Sequence, residues 1–135
     1  MDGFFPEGVN RRQLELLENC VNCALERGLD ELMREAERHL EAARQARQTS
    51  AFVNVPLAAA LHQSLKSMAA QFDSLPRIAQ PWLLGMIAYF STKHDEETDF
   101  DSPVGFEDDA EVINACLRMA GLDHLCVTPE DYDEF

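Results

Sequence analysis

What the chain lacks narrows its class first. No apolar run approaches the roughly 20 residues needed to cross a bilayer; the longest candidate, Trp82 to Phe90, reaches about half of that length. The opening MDGFFPEGVNRR carries acids where a secretion signal carries bases, and no apolar core follows it. The expectation is a cytoplasmic protein whose cysteines, Cys20, Cys23, Cys116 and Cys126, are reduced. Alternating β-branched residues, internal repeats and low-complexity tracts are missing, which argues against sheet folds and solenoids. Also missing are a glycine-rich phosphate loop, a G-x-S-x-G elbow and a basic aromatic platform, and with them the usual signatures of nucleotide, acyl-transfer and nucleic-acid chemistry.

Basic residues are scarce: 11 Lys and Arg stand against 25 Asp and Glu, a net charge of −14. The deficit is uneven. From Thr92 to Phe135 there are 14 acids against Lys93 and Arg118, so −12 falls in the last third of the chain. Such a surface disfavours nucleic-acid phosphates and anionic membranes as partners and favours a cation or a basic protein surface.

What is present is helical periodicity. At 135 residues the chain has the size of one domain with one core, and the expected fold is all-α, a bundle of about five helices. A leading segment over 1–9 carries Phe4 and Phe5. Asn10 and Gln13 have capping-box spacing, and Leu14, Leu17, Val21 and Leu25 then recur at helical intervals up to Gly28. Asp30 is placed to cap a second helix with Leu32, Met33, Ala36, Leu40, Ala43 and Ala46 inside. Pro56 suits the first turn of a third, buried through Leu57, Leu61, Leu65, Met68, Ala69 and Phe72. Trp82 to Phe90, apolar nearly all round, reads as a central fourth helix. Asp108 and Glu111 have the spacing of an acidic capping box for a fifth, with Val112, Ile113, Cys116 and Leu117 inside. Thr128-Pro129-Glu130-Asp131 starts one last turn in an acidic tail over 128–135.

Between the fourth and fifth helical patterns lies an acidic loop over 94–107. Asp95, Glu96, Glu97, Asp99, Asp101, Glu107, Asp108, Asp109 and Glu111 crowd this stretch, with Lys93 the nearest base. Carboxylates packed this closely repel unless helix amides or a cation offset them. Asp95, Asp99, Asp108 and Asp109, with His94, are therefore the candidate ligands of a hard divalent cation, calcium or magnesium. The calcium-loop template does not fit: counted from Asp99, Pro103 stands at position five, Gly105 is one place late and Ala110 replaces the acid at twelve. Helix capping and solvation are the competing account of the same residues.

The segment from Tyr89 resembles the core of the YkvA-like family, a bacterial domain of unknown function. The likeness rests on Tyr89, Asp95, Asp99, Phe100, Gly105, Phe106, Asp108 and Asp109, in register and without a gap. It covers about 30 residues. Lys93 and Thr98 stand where the family has prolines, and Glu96 and Glu97 where it has apolar residues, which implies a solvated loop. The resemblance implies a helix, an acidic loop and a following helix, with Phe100 and Phe106 pinning the loop; it implies no activity.

His94-Asp95, with His62 and Asp123 as further ligands, raises a metal-dependent hydrolase as an alternative, but such enzymes need several histidines converging. Cys20-x-x-Cys23 falls inside an amphipathic helix, where buried packing thiols are expected rather than zinc or redox chemistry. The leading functional expectation is a non-catalytic acidic protein that binds a basic protein partner, in its sharpest form an immunity or antitoxin-type inhibitor. Glu96, Glu97, Asp101 and Glu107 would steer association, and Phe106, Tyr132 and Phe135 would anchor it. A homo-oligomer using Trp82–Phe90 and the Phe4-Phe5 hook is the third reading.

Overall fold

The computed structural model describes residues 6–48, 54–91 and 105–132. These form five α-helices and three short 3₁₀ turns, with no strand among the described residues: α1 (Arg11–Ala24), α2 (Leu29–Arg47), α3 (Val55–Ala69), α4 (Gln80–Ser91) and α5 (Gly105–Met119), and turns at Phe72–Ser74, Asp123–Leu125 and Pro129–Tyr132. The fold is all-α, and no described helix is long and apolar enough to cross a membrane.

The local chemistry explains the helix starts. Asn10 Oδ1 accepts from the Gln13 amide at 2.8 Å, and Gln13 Oε1 accepts from the Asn10 amide at 2.8 Å, a complete capping box. Asn54 Oδ1 caps α3 through the Leu57 amide at 3.1 Å, with Pro56 in the first turn where its missing N–H costs nothing. α2 starts differently from expectation. Gly28 occupies the cap position without a side-chain bond, and Asp30 lies inside the first turn, where its charge faces the positive end of the helix dipole.

α4 is the hub. It packs against α1, α2 and α5, and Trp82, Leu83 and Gly85 to Phe90 are all buried. Most of its apolar surface is therefore covered within the chain, Leu84 staying half-buried, while Phe4 and Phe5 of the expected inter-subunit face lie outside the described residues. α1 runs antiparallel to it. A Cβ on Gly85 would lie 3.1 Å from the backbone of Val21, so the absence of a side chain lets the two helices touch backbone to side chain. The buried face of α1 is Gln13, Leu17, Cys20, Val21 and Ala24. Leu25, expected on that stripe, is 55% exposed because the helix ends one residue earlier.

α5 begins at Gly105, so the last three residues assigned to the acidic loop belong to the helix. It ends where the Leu122 amide reaches back to the Leu117 carbonyl at 2.8 Å, with Gly121 at φ +80° supplying the left-handed step. The chain then recrosses α3. Asn114 grips Val127 at both backbone groups, Nδ2 to its carbonyl at 2.7 Å and Oδ1 from its amide at 2.8 Å, while Ser64 Oγ donates to the Leu125 carbonyl at 2.6 Å.

Candidate functional site: a carboxylate cluster at the α1/α4/α5 junction

The first turn of α5 sits against the start of α1 and the end of α4, and three side-chain hydrogen bonds bridge them. Tyr89 Oη donates to Asp108 Oδ2 at 2.6 Å. Gln13 Nε2 donates to Asp108 Oδ1 at 2.6 Å and to Glu111 Oε2 at 2.8 Å. The Gln13 amide is fully used: its oxygen caps α1 and its two N–H bonds hold two carboxylates of α5 side by side. Asp108 is not the helix cap that its spacing with Glu111 suggested. It lies within the first turn, and both of its oxygens accept from side chains of other helices.

Burial separates the acids. Asp109 is 2% exposed, Asp108 and Glu107 are half-buried, and Glu111 is exposed. Tyr89 is completely buried. Burial first, then its bond to Asp108 and the nearby Asp109 and Cys20, push the phenol far above its ordinary range. The Cys20 thiol is pushed up to about 12 by burial, then by Cys23 and Asp109. Burial also raises the Cys116 thiol. Tyrosine and thiol are thus held protonated as donors or packing groups. The junction fixes negative charge in place and contains no activated nucleophile among the described residues.

His94, Asp95, Glu96, Glu97, Asp99, Asp101 and Phe135 lie outside the described residues. Phe106 is a correction: at 1% exposure it is no partner anchor. Its ring lies 6.0 Å from that of Phe90 and 6.0 Å from that of His39, so it pins the start of α5 to α4 and α2. Tyr132 is half-buried against the core. Asp108 and Asp109 are adjacent in sequence, yet one faces Gln13 and Tyr89 while the other is buried. Among the described residues no three His, Cys, Asp or Glu side chains gather to hold a metal.

His62 is buried on α3, and its pKa is lowered by burial and by Lys66 and Arg44, against the opposing pull of Glu37. Its charged neighbours therefore include α2 residues rather than the carboxylates of α5. The cysteines are free thiols, Cys20 and Cys116 buried and Cys23 exposed, so only half of the Cys20-x-x-Cys23 pair packs as expected. Two side chains escaped the sequence reading. His39 occupies the buried face of α2, which the spacing Ala36, His39, Leu40, Ala43 contains. Gln13 was visible as a cap, but its second role depends on a contact 95 residues away.

Compared with protein-family models, with curated proteins and with solved structures, the chain matches none of them.

Proposed function

We propose that this is a non-catalytic binding protein that presents fixed carboxylates to a basic protein surface. The observation that carries the reading is the Gln13 amide, which holds Asp108 and Glu111 on its two N–H groups. Carboxylates held by neutral donors lose little conformational freedom when a cationic group arrives, so the cost of binding falls. Their charge still acts at a distance and speeds encounter. The net charge of −14 supports the same direction of attraction. In the sharpest form the partner is an enzyme with a cationic active site that this protein covers. The likeness to YkvA-like domains is then one of scaffold, Tyr89 tying the fourth helix to the acidic start of the fifth.

The test is capture of basic proteins from the native cell extract on the immobilised full chain, read across a salt series. Retention is expected to fall steeply between about 0.01 and 0.15 M salt, over which the screening length shortens from about 30 to about 8 Å. Glu107→Lys with Glu111→Lys should abolish it. Retention that survives both the charge reversal and 0.5 M salt overturns the reading. Calcium or magnesium that raised the melting temperature would instead favour an ion as the ligand.

A further inference from the structure

A second feature lies away from the carboxylate junction. α3 and the C-terminal turns border an open cleft of about 300 Å³, at the lower end of ligand-pocket volumes and suited to a single large side chain rather than a cofactor. Ala60, Leu125 and Val127 line it together with polar residues that include Gln63, Ser67, Thr128 and Asp131; His124 and Tyr132 also line it. Among the described residues that line it, Asp131 is the one carboxylate, and none is a lysine or arginine. A further depression among the described residues, of about 460 Å³, has the opposite character, being lined by Arg27 and Arg38 with Glu35, His39 and Ser91.

We infer that the α3/C-terminal cleft seats an arginine or lysine side chain of the basic partner, an inference that rests on the reading above and gives it an anchor point. Ala60, Leu125 and Val127 offer apolar contact to the aliphatic stem of such a side chain. Asp131 accepts from its cationic head, Ser67 offers a further oxygen, and the face of Tyr132 attracts the cation. The walls are prepared for it. The two-point grip of Asn114 on Val127 and the Ser64 bond to Leu125 fix one side, and the Asp131 amide bonds to the Thr128 carbonyl at 3.0 Å to fix the turn carrying the carboxylate. Pre-formed walls leave less ordering to be done on binding.

The experiment is an amide-resolved NMR titration of the full chain at low salt with Nα-acetyl-arginine amide, and separately with its neutral citrulline counterpart. Saturable shifts are expected at Ser67, Thr128 and Tyr132, with citrulline at least tenfold weaker. Asp131→Asn, at an exposed position, should weaken arginine about tenfold, as loss of a charge-assisted bond does. Equal binding of citrulline, or an Asp131→Asn protein that binds arginine unchanged, overturns the inference. Shifts confined to Glu107 and Glu111 would overturn the cleft while leaving the acidic-surface reading standing. Failure of the capture experiment would remove that reading itself.

Discussion

The unusual residue is Gln13, a neutral amide doing what a cation does elsewhere. An arginine at this position would neutralise Asp108 and Glu111; the glutamine orients them without adding a charge, Asp108 half-buried and Glu111 exposed. Gln13→Ala removes half of the α1 capping box and both bonds to α5, so it should destabilise by about 1–3 kcal/mol in urea unfolding. Tyr89→Phe should cost about 1–3 kcal/mol, since Asp108 then loses a donor in a half-buried place. Because both bonds end on one carboxylate, the two changes should be non-additive in a double-mutant cycle, and strict additivity would deny that they form one network. The Cys20 thiol makes a second residue-level prediction. Its pKa is raised in the folded chain to about 12, against about 8.5 when unfolded, so the native state binds more protons between those values. Its contribution is complete below the unfolded value and is lost as pH rises through the folded one. Stability should therefore decline from about pH 9 to about pH 12, and less so in Cys20→Ala. Thiol labelling of the folded chain at neutral pH should reach the exposed Cys23 before Cys20 or Cys116.

At the scale of elements, α4 decides the arrangement, and it does so through a missing side chain. Gly85→Ala places a methyl into Val21, and over-packing of this kind should cost about 1–3 kcal/mol. Val21→Ala should recover part of that loss when combined with it, although Val21→Ala alone creates a cavity; if the double variant is no more stable than Gly85→Ala, the close approach of α1 and α4 does not limit packing. The helices themselves were readable from periodicity and punctuation. Asn10 with Gln13, Pro56, and the apolar run of α4 each marked its element, because capping and burial are local matters that spacing records. The site was readable only in part. Tyr89, Asp108 and Asp109 stood out as residues. That Tyr89 reaches Asp108, that Phe106 turns inward, and that Asn114 grips Val127 depend on the angle at which three helices meet, which no single helix's pattern carries. Even Asp108 with Glu111 misled, since their spacing fits a cap while the helix in fact begins at Gly105.

For the molecule as a whole, charge sets a balance between folding and function. Ion pairs exist on the outer faces, Arg27 with Glu31 at 2.8 Å and with Glu35, and Arg44 with Glu41 at 3.3 Å. They are exposed or half-exposed pairs of the kind that contributes little. They also leave the imbalance of 25 acids over 11 bases intact. Self-repulsion at −14 opposes the compact state, and salt relieves it over distances beyond about 10 Å at 0.1 M. Adding salt from 0.01 to 0.15 M should therefore raise the melting temperature while it weakens capture of a basic partner, the two responses running in opposite directions in the same buffer series. A chain stabilised mainly by its surface ion pairs would show the reverse, losing stability as salt screens them. Glu107→Lys with Glu111→Lys sharpens the comparison, because it lowers the repulsion and the attraction together: the variant should melt with a shallower salt dependence and should no longer retain the partner. If its salt dependence of melting equals that of the unaltered chain, the repulsion is spread over the surface rather than gathered at the start of α5.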